Sequence, residues 1–185
     1  MDVHCRMNRL FCTFFNRWIP IQSFVQEGWN DMSSFVAAQP EHMDIVTALL
    51  SDYARWLDLP QCSANIQKEI GDFPGEYGPP GGIFIIAFED DKPAGCIAVR
   101  RWDAKSGELK RFFVRPEFRG QSFGKLLIER AMDFARETDY ERMLLDVIPD
   151  RMGAAMKLYT SYGFKECSQY GESPGENAKW FELVL

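Results

Sequence analysis

The chain has 185 residues, of which 46% are apolar, and this suffices for one ordinary domain that buries about 70% of its unfolded surface. Its formal net charge of −6 argues against binding to nucleic acids or to anionic membranes, because both attract basic proteins. The five cysteines are odd in number and far apart, so we expect free thiols in a reducing, cytoplasmic compartment. With two histidines and no His/Cys cluster, no metal site is expected.

Residues 1–31 differ from the rest of the chain, because arginines repeatedly interrupt their apolar residues. The segment has neither the continuous apolar core nor the cleavage pattern of a signal peptide. We therefore expect an accessory or poorly ordered extension over residues 1–31, followed by one domain over residues 32–185. On this interpretation Met32 is a candidate for the true initiator.

Strand patterns and helix patterns alternate along the predicted domain. Runs rich in β-branched and aromatic residues predict strands at residues 34–38, 83–88, 94–101, 108–114, 142–148, 164–170 and 178–184. Apolar residues at helical spacing predict helices that open at residues 39–41 and near Ser122, and two more over residues 63–70 and 152–162. Pro60 is interpreted as a break between the first two helices, and Gly71 as the stop of the second.

The order of these elements sets the fold class. Two β-α-β steps require right-handed crossovers and parallel pairing at the centre of the sheet, while the hairpins around them are antiparallel. The class is therefore α/β with a mixed sheet. Residues 73–82 form a loop so dense in proline and glycine that we interpret it as rigid.

Residues 108–136 are the most informative part of the chain. A strand is followed by a turn with small residues at Gly120, Ser122 and Gly124, and then by an amphipathic helix. The free N–H groups and positive dipole end of such a helix favour anions, so the turn predicts a phosphate or diphosphate site. A Walker P-loop and a dinucleotide fingerprint both fail, because three residues separate Gly120 from Gly124 and the G-x-G-x-x-G spacing is absent.

The phosphate turn resembles the Arg/Gln-x-x-Gly-x-Gly/Ala loop of the GNAT superfamily, the acyl-CoA-dependent N-acyltransferases, and reads Arg119-Gly120-Gln121-Ser122-Phe123-Gly124. Ser122 stands where that family usually has its middle glycine. The family's Leu-Tyr-x-x-x-Gly-Phe element is similar to Leu158-Tyr159-Thr160-Ser161-Tyr162-Gly163-Phe164, and its central strand is similar to residues 108–116. The resemblance covers residues 34–185 and implies a GNAT-like, mostly antiparallel sheet with a central parallel pair that splays apart, flanked by about four helices.

The resemblance also implies a site for acetyl-CoA as co-substrate, without a metal. Its diphosphate would lie on the backbone N–H groups of the turn, and its pantetheine arm would pair with the edge of the central strand. A backbone N–H near Val114 would polarise the thioester carbonyl. The implied binding residues are Phe112, Phe113, Val114, Arg119, Gly120, Gln121, Ser122, Phe123, Gly124 and Lys125.

Two kinds of catalytic group are expected around this site. An amine must lose a proton before it attacks, and Glu108 is the first candidate to accept that proton, with Asp146 second. The alternative is that these carboxylates only form ion pairs with Lys110, Arg111 or Arg142. The resemblance implies that Tyr159 protonates the departing thiolate, against the alternative of a packed helix tyrosine.

The remaining candidates are interpreted as structural. Arg100 and Arg101 are expected to form a solvated strand end, and Cys96 a buried thiol. Four aromatic residues belong either to the core or to an acceptor pocket: Trp56, Tyr77, Phe84 and Trp180.

The sequence therefore predicts an N-acetyltransferase that moves acetyl from acetyl-CoA to a primary amine by direct attack. The acceptor stays open between a small-molecule amine and a protein amine, with no nucleic-acid or membrane partner, and a homodimer is compatible with the fold. The rival hypotheses are a non-catalytic CoA-binding or sensing domain and an interaction protein that uses the same fold.

Overall fold

The computed structural model describes residues 33–185, so the predicted N-terminal extension and Met32 lie outside the described residues. The described part forms a seven-stranded sheet and four α-helices. In chain order they are β1 (Ser33–Ala37), α1 (Met43–Leu57), α2 (Pro60–Asp72), β2 (Ile83–Glu89), β3 (Lys92–Arg101), β4 (Ser106–Val114), α3 (Phe123–Glu137), β5 (Arg142–Val147), α4 (Pro149–Ser161), β6 (Lys165–Cys167) and β7 (Lys179–Val184). None of the described helices is both long and apolar enough to cross a bilayer.

The strands lie in the order β1-β2-β3-β4-β5-β7-β6. Within this described sheet only β4 and β5 pair in parallel, and every other neighbouring pair is antiparallel. The expected mixed, mostly antiparallel sheet is confirmed. Strand β7 inserts between β5 and β6, so the second β-α-β step skips one strand.

The central parallel pair splays apart as expected. Pairing of β4 with β5 covers three positions and ends where Glu108 faces Leu144. Further along β4, Arg111 adopts a φ of +55°, and the register against β3 shifts between Cys96 and Ala98. A bulge of this kind bends a strand and increases its twist. Beyond Glu108 the edge of β4 that faces β5 is therefore open.

The helices cover both faces of the sheet. Phe112 and Phe113 are neighbours on β4 and point to opposite faces. Phe113 packs against Tyr53 of α1 at 6.1 Å between ring centroids, whereas Phe112 packs against Tyr159 of α4 at 5.7 Å. Helices α3 and α4 share the second face because both belong to right-handed crossovers that run in the same direction along the sheet.

Several element boundaries differ from the prediction. Pro60 does not break the chain between helices but occupies the first turn of α2, where its missing N–H costs nothing. The helix runs through Gly71 and ends at Asp72, because Phe73 precedes a proline and takes an extended ψ of 138°. Strand β6 is also shorter than predicted, since the chain leaves the sheet after Cys167 and Tyr170 reaches towards Glu108.

Candidate active site

The N-terminus of α3 opens at the exit of β4. The first α-helical hydrogen bond runs from Leu126 N to Ser122 O, so the N–H groups of Phe123, Gly124 and Lys125 have no acceptor within the helix. No side chain caps this end of the helix. These donors and the helix dipole therefore form an anion site, and the residues present fit the diphosphate of a coenzyme A.

The small residues of the turn have separate physical roles. Gly120 has a φ of +81°, and Ser122 also lies in the left-handed region, with a φ of +67°. This conformation explains why related loops favour glycine at the position of Ser122. Gly124 serves close packing, because a Cβ there would lie 3.2 Å from Cζ of Phe112.

A groove of about 390 Å³, here called the α3 groove, runs beside this turn. Its lining includes nine of the ten residues predicted to bind acetyl-CoA, together with Trp56 and residues of α4 such as Leu158. The tenth residue, Gln121, does not line the groove, because its side chain is exposed and donates to Glu117 O at 3.2 Å.

Arg119 has a bracing role in addition to its charge. Its Nε donates to Val114 O at 3.0 Å, and its guanidinium lies over the ring of Trp56 at 5.6 Å from the centroid. The side chain thus ties the turn to the end of β4 and to α1. Because the guanidinium is exposed, it keeps positive charge at the mouth of the α3 groove.

A smaller cavity of about 70 Å³, the central cavity, lies where β4 and β5 diverge. Tyr53 of α1 and Cys62 of α2 line it together with Tyr159 and Met152 of α4. Since α1 and α4 pack on opposite faces, the cavity passes through the sheet. It shares Phe112 and Met152 with the α3 groove, so the two spaces adjoin.

Tyr159 is placed by the way α4 ends. Phe164 N donates to Tyr159 O at 3.2 Å and Gly163 N donates to Thr160 O at 3.1 Å, while Gly163 has a φ of +92°. These two bonds form a Schellman motif, and its usual apolar contact is the packing of Phe164 on Tyr159, with ring centroids 5.8 Å apart. The Leu-Tyr-x-x-x-Gly-Phe element is therefore a helix-stop motif that fixes the tyrosine.

The hydroxyl of Tyr159 is available for chemistry. The side chain is 1% exposed, lines the central cavity and forms no hydrogen bond with a described residue. Burial raises the pKa of Tyr159 well above its ordinary value, so the hydroxyl keeps its proton at neutral pH. A buried, protonated hydroxyl that faces a cavity can donate to a leaving group.

A third space of about 350 Å³, here called the Glu108 cavity, adjoins the central cavity and shares Asp146, Lys110, Asn65 and Cys62 with it. Glu108, the first predicted proton acceptor, lines this space and is only 3% exposed. Its carboxylate accepts from Arg100 Nε at 2.6 Å and from the Tyr170 hydroxyl at 3.2 Å.

Asp146 and Lys110 complete the charged group. Lys110 Nζ lies 2.6 Å from Asp146 Oδ1 and 3.5 Å from Glu108 Oε1, so it bridges the two carboxylates. Of the ion pairs expected as the alternative, those with Lys110 are present. Both predicted carboxylates thus face one cavity, with a lysine between them.

The sequence reasoning missed two side chains of this region. Arg100 is not a solvated strand end but bonds Glu108 and Glu76. Tyr170 comes from an irregular loop, and burial together with the Glu108 carboxylate raises its pKa, so it donates to Glu108 as a neutral hydroxyl. No local sequence pattern predicts the roles of these residues, because their partners lie far away along the chain. Trp180 does line the Glu108 cavity, while Tyr77 and Phe84 belong to the core.

The wall formed by α2 is fixed by a buried ion pair. Arg111, at the bulge of β4 and 7% exposed, donates through Nε to Glu69 Oε2 at 2.7 Å and through Nη2 to Glu69 Oε1. The Tyr77 hydroxyl donates to the same carboxylate at 2.9 Å. This cluster holds α2 against β4, and α2 carries Cys62 and Asn65 into the cavities.

Comparisons with known proteins agree with this arrangement. The profile of the acetyltransferase (GNAT) family matches residues 43–164. An uncharacterized N-acetyltransferase of Schizosaccharomyces pombe is 32% identical over 148 residues, which cover 79% of this chain and 90% of that protein. The N-acetylaspartate synthetase of Mus musculus is 32% identical over 120 residues, which cover 64% of this chain and 40% of that protein. A solved acetyltransferase from Streptococcus agalactiae has a TM-score of 0.70 at 27% identity, covering 84% of this chain and all of that one.

Proposed function

Because this chain belongs to the acetyltransferase (GNAT) family and is an acetyl-CoA-dependent N-acetyltransferase, we propose that its acceptor is the primary amine of a small molecule, acetylated by direct attack. The observation that carries the proposal is the passage from the α3 groove through the central cavity to the Glu108 cavity. It brings donor and acceptor together from opposite ends of the splayed part of β4.

The donor is assigned to the α3 groove. Acetyl-CoA supplies an acetyl group activated as a thioester. The N–H groups at the start of α3 bind its diphosphate, and Arg119 and Lys125 add positive charge. The edge of β4 from Phe112 to Val114 is unpaired on the side of β5 and offers its backbone groups to the amides of the pantetheine arm. A backbone N–H near Val114 then polarises the acetyl carbonyl.

The carboxylates of the Glu108 cavity accept the proton of the amine. An amine with a lysine-like pKa near 10.4 is neutral in only about one molecule in a thousand at pH 7, so proton removal is a large part of the task. Glu108 receives donors from Arg100, Tyr170 and Lys110, whereas Lys110 is the only described side chain that donates to Asp146. Asp146 also lines the central cavity beside Tyr159. We therefore assign the proton to the Glu108–Asp146 pair rather than to one member alone.

Tyr159 acts at the other side of the reacting carbon. As the bond from the amine nitrogen to the acetyl carbon forms and the carbon–sulfur bond breaks, its hydroxyl donates to the departing sulfur. The raised pKa of Tyr159 keeps this donor protonated throughout the neutral range.

Two observations support a small-molecule acceptor: the volume of the Glu108 cavity and the name of a relative. A volume of about 350 Å³ is close to the lower end of ordinary small-molecule sites. The mouse relative is named for a product that is an acetylated amino acid. The three described cysteines, which are free, agree with a reducing, cytoplasmic compartment. A homodimer stays compatible with the fold, and sedimentation of the purified chain tests it.

A thiol-release assay with acetyl-CoA over a panel of amines tests the activity, preceded by a thermal-shift measurement with acetyl-CoA. Binding without turnover on any amine would identify a sensing domain, and absence of binding would leave only the interaction protein.

The proton acceptors are tested with Glu108→Gln and Asp146→Asn. Each substitution should lower kcat/KM mainly at low pH, where the amine is protonated, and the loss should shrink as pH rises and the amine loses its proton unaided. A variant whose pH–rate profile matches that of the wild type removes its residue from the role. The exposed Asp133 on α3, outside all three spaces, provides the matched control Asp133→Asn.

A further inference from the structure

The Glu108 cavity carries two cations beside its two carboxylates. Arg100 bonds Glu108, and Lys110 bridges Glu108 and Asp146, so these four formal charges sum to zero. A site for a simple alkylamine would bind it more tightly with carboxylates and no cations, because cations repel an ammonium group. The balance suits an acceptor that has both an amine and an anion. Glu172 at the rim and Glu76, which bonds Arg100 from outside the lining, are both exposed, so they add their negative charge in contact with solvent.

Arg100 has donors that the described residues leave free. Its Nε bonds Glu108 at 2.6 Å and its Nη1 bonds Glu76 at 2.6 Å, but its Nη2 forms no hydrogen bond with a described residue. The Arg100 side chain is about a quarter exposed and lines the cavity. Since a guanidinium presents five donors in one plane, the two N–H groups of Nη2 remain for a carboxylate oxygen of the acceptor.

We propose that the acceptor is a zwitterionic amino acid, whose carboxylate binds Arg100 while its amino group lies against Glu108 and Asp146. This inference rests on the proposed N-acetyltransferase function and specifies its substrate class. Walls of aromatic carbon surround the space for the side chain, since Trp102 packs edge-on against Tyr170 at 5.0 Å and Trp180 lines the same cavity. The volume of about 350 Å³ suits one amino acid rather than a peptide.

The first experiment compares matched acceptors. Each common L-amino acid is assayed beside the amine that remains when its α-carboxylate is removed, for example L-phenylalanine with 2-phenylethylamine and L-histidine with histamine. We expect the best amino acid to exceed its own amine by about 10- to 100-fold in kcat/KM, the range of a charge-assisted hydrogen bond. Equal turnover of the two overturns the inference and leaves the acetyltransferase function intact.

The second experiment removes the Arg100 guanidinium. Arg100→Gln also takes a partner from Glu108, so the readout is the ratio of kcat/KM between amino acid and matched amine, in which a loss of base cancels. We expect this ratio to fall towards unity through a higher KM for the amino acid, and Arg100→Lys to restore it only in part. A ratio that stays at the wild-type value overturns the inference.

Two neighbours supply the controls. Arg101 follows Arg100 in sequence but lies over the ring of Tyr140 at 5.8 Å and lines none of the three spaces, so Arg101→Gln should keep the ratio. Glu76 is 65% exposed, and Glu76→Gln should keep or raise the ratio because it removes a negative charge that Arg100 otherwise neutralises. A drop in either variant equal to that of Arg100→Gln would overturn the assignment to Arg100.

A calorimetric measurement separates this inference from the function on which it rests. If no acceptor of either kind is acetylated, the proposed function fails. Binding of L-amino acids to the CoA-bound protein then decides the inference: the wild type must bind and Arg100→Gln must not. Absence of binding by the wild type overturns it.

Discussion

Tyr159 combines a packed ring with a free hydroxyl. The ring lies between Phe112 and Phe164, at 5.7 and 5.8 Å, whereas the hydroxyl faces the central cavity without a described partner. Tyr159→Phe should therefore keep the fold and lower kcat by about 10²-fold or more, the usual contribution of a general acid. Steady-state kinetics and a melting curve measure the two effects.

Tyr162 gives the matched control for this prediction. It lies just beyond the same helix, but its hydroxyl bonds Glu129 at 2.8 Å and it lines none of the cavities. Tyr162→Phe should retain turnover. Full activity of Tyr159→Phe would remove the acid role and leave this tyrosine as a packing residue.

Ser122 adopts a backbone conformation that is strained for serine and unstrained for glycine. Its φ of +67° costs an L-residue about 1–2 kcal/mol, while glycine loses about 0.4–1 kcal/mol through the greater freedom of the unfolded chain. Ser122→Gly should therefore stabilise the protein by up to about 1 kcal/mol, or raise Tm by about 2–4 °C. Thermal unfolding checks this, and Ser122→Ala, which keeps the Cβ, should bring no gain.

The limits of sequence analysis at this scale follow from distance along the chain. Tyr159, Gly163 and Phe164 could be identified because a helix stop is a local motif. Arg100 could not, since its two partners lie 8 and 24 residues away. Only the pairing of β3 with β4 brings Arg100 opposite Glu108.

The end of α4 offers a prediction at the scale of one element. Gly163 lies at a φ of +92°, where a Cβ costs about 1–2 kcal/mol, so Gly163→Ala should lower the free energy of unfolding by about that amount. Gly153 directly follows a kink in the same element, since Met152 has a φ of −114° and a ψ of 23°, and a Cβ at Gly153 would meet nothing within 4 Å. Gly153→Ala should therefore stabilise the protein by up to about 0.5 kcal/mol, less than in a helix interior, because the position begins a regular helical turn. Urea unfolding of both variants measures the opposite signs, and equal signs would contradict this account of the helix stop.

Most strands and helices could be predicted from their periodicity, but the bulge of β4 could not. The left-handed φ of Arg111 is imposed by a register shift against β3 and by its ion pair with Glu69, which lies 42 residues away. Nothing in residues 108–114 marks this position. The same bulge helps to open the sheet. The open edge of β4 could therefore be expected only from the family resemblance and not from the pattern of residues 108–114.

The passage through the sheet is a property of the whole molecule. Its walls come from α1, α2, β4, β5, α4 and the loop that carries Tyr170, and each of these elements was predicted as an element of secondary structure, or as a loop, without its neighbours. The shape of such a space depends on how all of these elements pack against one another, and no single stretch of sequence specifies it. This is why the turn that precedes α3 could be predicted from local sequence and the charge balance of the Glu108 cavity could not.

Buried neutral acids make the stability of the whole domain sensitive to alkali. Burial raises the pKa of Cys96 from its ordinary value near 9 to about 12, and its thiol donates to Arg111 O at 3.3 Å. Below pH 9 both the folded and the unfolded state hold this proton. Between pH 9 and 12 only the folded state does, so the free energy of unfolding falls by about 1.4 kcal/mol per pH unit for this group. Burial raises the pKa values of Tyr53, Tyr77 and Tyr159 as well, and these residues add to the loss above pH 10.

Cys96→Ala isolates the contribution of the Cys96 thiol to this pH dependence of the free energy of unfolding. The variant has a constant cost from the lost side-chain volume, but it lacks the titrating group, so the difference between wild type and variant should shrink by about 1.4 kcal/mol from pH 8 to pH 10. Urea unfolding at the two pH values measures this difference, because the remaining titrating groups are common to both proteins. A difference that stays constant would show that the Cys96 thiol ionises as readily in the folded core as in the unfolded chain.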